Sequence, residues 1–152
     1  MVKTFRYLFF KIGALPEKLR TEIQSDEVIF MEEGIPVTVR RHGTAPGFRG
    51  GGIGRFSGAF VVTNRRIVAS ISKTVVADVP YDMTDAKGAE ASLAEDGLHI
   101  TIDASIHHQC TGEIRMHFKQ NFSEKELARF PRRKIIFQFP ADLVPKMFGV
   151  PI

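Results

Sequence analysis

The chain has 152 residues, 43% of them apolar and 25% charged, with a formal net charge of +4. That length and balance fit one ordinary domain with a proper core and exclude a disordered chain. A single cysteine, Cys110, excludes an intramolecular disulfide, and no apolar run nears the ~18 residues a membrane span needs.

In chain order, Val2, Phe5, Phe9 and Ile12 recur at helical spacing, with Leu8 beside them. Lys3, Arg6 and Lys11 fall elsewhere on the wheel, which predicts a short amphipathic N-terminal helix. It either docks on the domain's own core or lies on a membrane interface. The apolar run Tyr7–Phe10 is too short for the ~7–15-residue core of a signal peptide, so a cytoplasmic location is expected, with a peripheral membrane position as the alternative. Pro16 suits the first turn of a second helix, Pro16–Gln24.

From Glu27 the pattern changes to strands. Glu27–Glu33 and Ile35–His42 flank Gly34, which predicts a tight hairpin there. In the second of these, Val37 and Val39 face one way, Thr38 and Arg40 the other. Gly43–Arg55 carries six glycines and is expected to be an irregular loop. Phe56–Thr63 and Arg66–Ser72 form the next hairpin, with Asn64 supplying the positive φ that a two-residue turn demands. Thr74–Val79 is a strand stopped by Pro80.

Ala89–Leu93 and Leu98–Ala104 surround a Glu95-Asp96-Gly97 turn, and the alternation of Leu98, Ile100 and Ile102 with His99, Thr101 and Asp103 leaves one face wet. Gly112–Phe118 alternates in the same way. Ser123-Glu124-Lys125-Glu126 is a capping box opening a helix to about Phe130. Arg133–Phe139 reads as a further strand, and Ala141–Phe148 as a short terminal helix bent or interrupted at Pro145. Roughly eight short strands without a linker predict one domain over residues 1–152, a small antiparallel barrel or sandwich. In it, residues 1–26 are a helical extension, 27–118 the strands and 119–152 the C-terminal helix, extra strand and tail.

Charge is unevenly spread. Residues 1–76 carry 12 Lys/Arg against 6 Asp/Glu, residues 77–152 carry 9 against 11. Between Glu33 and Asp78 there is no acidic residue, and that stretch holds Arg40, Arg41, Arg49, Arg55, Arg65, Arg66 and Lys73. Such a block favours an anionic partner, and Arg pairs bidentately with phosphate or carboxylate. Nucleic acid is disfavoured, because few aromatics are interleaved with these charges.

No catalytic motif is complete. The glycine segment lacks the Lys of a P-loop, and Gly52-x-Gly54 is followed by Ser57 where a dinucleotide fingerprint needs its third glycine. Gly54-Arg-Phe-Ser57-Gly58 has the wrong spacing for a nucleophile elbow. His107, His108 and Cys110, with His99 and His117 nearby, are candidate metal ligands. Adjacent His107 and His108 on an extended chain would point to opposite faces, however, so no metal and no cofactor are expected.

The run Gly58–Ala69, GAFVVTNRRIVA, resembles the T-N-R-R/L-hydrophobic strand signature of bacterial pleckstrin-homology-like and GRAM-like domains. The order around it is similar too: the acidic Glu27–Glu33 strand before it, then Asp78-Val79-Pro80-Tyr81, Gly97–Ile100 and Gly112–Phe118. The resemblance implies about seven strands in two near-orthogonal sheets, with one open end plugged by a C-terminal helix. It also implies a non-catalytic binding module, some members binding phosphoinositides and many binding proteins. The short helix after Ser123, the Arg133–Phe139 strand and the glycine segment depart from that pattern. The expected contact surface is Arg41, Arg49, Arg55, Arg65 and Arg66, for a protein partner or an anionic lipid headgroup. Exposed strand edges leave a homo-oligomer as an alternative.

Overall fold

A computed structural model describes residues 14–82 and 86–149; the predicted Val2–Ile12 helix lies outside them. The described elements are α1 (Glu17–Ile23), β1 (Val28–Ala45), β2 (Phe48–Thr63), β3 (Arg66–Ile71), β4 (Thr74–Pro80), β5 (Ala89–Ala94), β6 (Gly97–Asp103), β7 (Thr111–Lys119), α2 (Glu124–Leu127), β8 (Lys134–Phe137) and α3 (Val144–Gly149). The strands form one antiparallel, nearly closed, barrel-like sheet of eight, in the order β4-β3-β2-β1-β7-β6-β5-β8. The expectation of about seven strands is one short: β8 adds to the edge of β5, pairing Ala89–Ser92 with Phe137–Lys134. None of the helices among the described residues is long and apolar enough to cross a membrane.

Strict alternation builds the inner face. Val37, Val39, Phe60, Val62, Leu98, Ile100, Ile102, Ile114, Met116 and Phe118 are all buried there. Each such side chain contributes about 1.5–3 kcal/mol relative to exposure. Both C-terminal helical segments close this core. Phe122, Leu127 and Phe130 enter it around α2, and Val144, Met147 and Phe148 from α3. Phe122 meets Phe30 and Phe130 edge to face, at 4.9 and 5.1 Å between ring centroids. The capping box at Ser123 is present, with reciprocal bonds to Glu126, although the α-helix ends at Leu127 rather than Phe130. Pro145 does not break the terminal helix. It falls in the first turn of α3, where its N–H is not needed, after a separate 3-10 turn at Ala141–Leu143.

Two predicted features are overturned. Gly34 is not a hairpin turn. It sits inside a single strand as a bulge: Glu33 pairs with Ala59 and Ile35 with Gly58, leaving Gly34 as the extra residue at φ 69°. That left-handed conformation is open to glycine, so the bulge is absorbed where a bulkier residue would be strained. Nor is Gly43–Arg55 a loop. Gly43 to Ala45 extends β1 and Phe48 to Arg55 extends β2, and the two run together as a long arm with register Thr38↔Arg55, Arg40↔Ile53 and Thr44↔Arg49. Cross-strand pairing outweighs the low strand propensity of glycine here, as tertiary context commonly does for strands.

Among the described residues, the outer face is covered over part of its area only. Leu15, Leu19 and Ile23 lay α1 across Ala59 and Val61 of β2 and Val68 of β3. Four polar ties fix that helix and its flanks. Glu33 accepts from the Leu15 backbone N–H at 2.6 Å and from Arg20, and Arg66 donates to Asp26 at 3.0 Å and to the Glu22 carbonyl at 3.2 Å.

Candidate functional site: the bare face of β2, β1, β7 and β6

Beyond α1, no helix among the described residues covers the outward positions of four neighbouring strands. The register aligns Arg55, Thr38, His117 and His99 in one row, and Ile53, Arg40, Arg115 and Thr101 in the next. These side chains, with Lys119, line an open groove of about 370 Å³ in which no carboxylate takes part. Arg40 stands directly opposite Arg115, and like charges so placed are destabilising. Folding alone therefore gives no reason for that pairing. Arg115 is partly offset by Glu113, at 2.9 Å, whereas Arg40, Arg55 and Lys119 form no ion pair among the described residues. Adjacent strands are ~4.8 Å apart, well inside the ~10 Å screening length at 0.1 M salt, so these charges act as one field.

A second feature adjoins the groove. β3 pairs with β2 only over Gly58–Val62, so among the described residues the far edge of β2 from Phe48 to Phe56 has no strand partner. Arg49, Ile53 and Arg55 project outward along this edge at alternate positions, and Ile53 is 57% exposed. Gly51 lies on the same face between Arg49 and Ile53, and Gly50, Gly52 and Gly54 occupy the other face. The guanidinium of Arg41 lies 3.5 Å from where a Gly52 Cβ would stand.

At the opposite end of the groove, His99 and His117 are direct cross-strand partners whose rings stack at 4.2 Å and 12°. Asp96, in the β5–β6 turn, accepts from His99 Nε2 at 2.8 Å through Oδ1 and from His117 Nε2 at 2.9 Å through its backbone carbonyl. The His99 hydrogen bond, against some burial and with help from the charges of both imidazoles, holds the Asp96 carboxyl below the usual carboxylate range.

The five arginines expected to form one surface are divided by the fold. Arg49 and Arg55 lie on the bare face. Arg41 points to the opposite side of the arm and donates to the Met147 carbonyl at 3.0 Å, which ties β1 to α3. Arg65 is exposed in the β2–β3 turn, at the other end of β2. Arg66 is engaged with Asp26, Glu22 and, at 3.5 Å, Asp78.

The Thr63–Arg66 signature is thus a structural knot. Thr63 Oγ1 accepts from the backbone N–H groups of Arg65 and Arg66 at 3.1 and 3.0 Å. Asn64 does not take positive φ; its side chain instead accepts from the Glu27 N–H at 2.9 Å. His107 and His108 also differ from expectation. They sit in a turn with rings stacked at 4.7 Å, while burial pushes the nearby Cys110 thiol up.

Arg40 and Arg115 were not singled out from the sequence. Alternation with Val37 and Val39 already puts Arg40 outward, but only the β1–β7 register brings Arg115 to it. Comparison with protein-family models, curated proteins and solved structures finds no match to this chain.

Proposed function

We propose that the protein is a non-catalytic interaction module that takes an acidic, extended segment of a partner protein along the bare half of β2. The observation that carries this reading is the coincidence of a strand edge without a strand partner among the described residues and outward Arg49, Ile53 and Arg55. An added strand gains main-chain hydrogen bonds from the edge, while its alternate side chains decide specificity. Carboxylates opposite Arg49 and Arg55 with an apolar residue opposite Ile53 match this edge, and Arg40, Arg115 and Lys119 extend the same field across the groove.

The exposed Ile53 among the cations favours a peptide over a lipid headgroup. The resemblance to pleckstrin-homology-like and GRAM-like domains belongs to the same reading. The strands run as two antiparallel meanders, β1–β4 and β5–β7, and β8 is an eighth strand beyond the seven that it implies.

The test is fluorescence anisotropy of a labelled peptide of alternating Glu and Val, beside flotation with phosphatidylserine vesicles. Binding of the peptide should weaken as salt rises. It should fall at least roughly tenfold, about 1.4 kcal/mol, in the Arg49→Glu/Arg55→Glu double variant. Unchanged peptide affinity in that variant overturns the proposal. Vesicle binding without peptide binding reassigns the face to a headgroup.

A further inference from the structure

The geometry points to a binding site for a divalent first-row transition metal ion, zinc foremost, formed by Asp96, His99 and His117. This goes beyond peptide binding and does not depend on it. One ligand atom from each residue lies within 4.8 Å of the other two. The His99 Nε2–Asp96 Oδ1 distance is 2.8 Å and the His117 Nε2–Asp96 Oδ2 distance 3.7 Å. A tetrahedral zinc ion with bonds of about 2.0–2.2 Å holds its ligand atoms ~3.4 Å apart, inside the 4.8 Å within which the three groups already lie.

The backbone has already placed the three side chains. His99 and His117 are paired across β6 and β7 and point outward together. Asp96 is set over them by Gly97, at φ 127°, where a Cβ would stand 2.0 Å from the Phe118 carbonyl oxygen; only glycine lets the turn approach β7 so closely. Backbone bonds from Gln120 to Asp96 and from Phe122 to Glu95 hold the turn down. Little ordering therefore remains when an ion binds. Two imidazoles with one carboxylate select zinc, nickel or copper over magnesium and calcium, which prefer all-oxygen shells. Three protein ligands leave a fourth position for water or for a carboxylate of an occupant of the groove, whose lining His99 and His117 share.

The same contacts would also serve as a plain hydrogen-bonded clip on the turn, and the experiment separates the two. Untagged protein is titrated with zinc alone against a chromophoric chelator, with no peptide present. One ion per chain is expected, with affinity falling ~100-fold or more in His99→Ala and in His117→Ala, since even the loss of an outer-shell partner costs 10–100-fold. Asp96→Asn keeps an acceptor for His99, so a clip survives it, whereas metal affinity should still drop. Cys110→Ser, at the separate His107–Cys110 turn, should leave the titration unchanged. Circular dichroism confirms that each variant is folded. Absence of zinc binding by the folded wild type, or wild-type affinity in either histidine variant, overturns the site.

Discussion

The two halves of the outer face of β2 are made from one strand with one alternation, yet they meet different fates. From Ser57 to Thr63 the outward residues include Ala59 and Val61, small and apolar, and α1 lies on them. From Arg49 to Arg55 they include two arginines and an exposed isoleucine, and no helix among the described residues covers them. On the covered half the charges beside α1 that come from the sheet are answered: Glu33 by Leu15 and Arg20, Arg66 by Asp26 and Asp78. On the bare half Arg40, Arg55 and Lys119 are not. Arg66 is held by the acidic groups beside it, whereas Arg40 and Arg55 have no such partner among the described residues.

That contrast can be broken most severely from the covered side. Ile23→Ala, which hollows the buried α1 contact, should lower stability by about 2–5 kcal/mol in chemical denaturation. It should leave peptide binding on the bare half intact, and a loss of both would mean that the halves are not independent.

Next in size is Arg66→Ala, which leaves the Asp26 carboxylate, only 2% exposed, without its cation; about 1–3 kcal/mol should be lost. Burial opposes ionisation of Asp26, but the Thr63 hydroxyl and the Arg66 guanidinium prevail and hold its pKa below the usual 3.8. Its contribution is therefore present above that value and disappears as pH falls through the lower, folded one. Acid titration of stability should show the loss in the wild type and not in Asp26→Asn.

Tyr81→Phe removes a hydroxyl that donates to the Thr63 carbonyl at 2.7 Å and should cost about 0.5–1.5 kcal/mol near neutrality. Burial raises the Tyr81 pKa from 10.0 to about 12. Its stabilising effect is thus complete below pH 10.0 and is lost as pH rises toward about 12. Alkaline melting curves should show that decline in the wild type and a flatter course in the variant.

The smallest effect has the opposite sign. Arg40→Thr relieves repulsion with Arg115 and should raise stability by roughly 0.2–1 kcal/mol while weakening peptide binding. A destabilised Arg40→Thr would mean that the cation serves the fold after all.

The hairpin through Thr63 and Arg66, the wet face of His99 and Thr101, and the capping box at Ser123 were legible because each is local: alternation, a turn, a cap. The glycine segment was not. Glycines carry no side-chain pattern, and only the pairing of β1 with β2 puts five of the six in strands, with Gly47 in the turn between them. The site was half legible for the same reason. Arg49 and Arg55 stood out in the basic block, and the outward phase of Arg40 followed from Val37 and Val39. Their meeting with Arg115, and that of Asp96 with His99 and His117, depends on registers between strands far apart in the chain. Arg41, Arg65 and Arg66 share composition and neighbourhood with the exposed cations. What separates them is the face each occupies and the partner waiting there.

Arg40 and Arg41 are adjacent and chemically identical, but one belongs to the groove and the other fastens α3. The choice between them is made upstream, at Gly34. Regular alternation carried through from outward-facing Glu33 would have sent Val37, Val39 and Arg41 outward and turned Thr38 and Arg40 into the core. The bulge takes up one residue without using a place in the ladder, so the remainder of β1 continues in the opposite parity. Gly34 lies outside the groove, yet it works as a frame-shift in the strand and decides which residues the molecule shows to the outside.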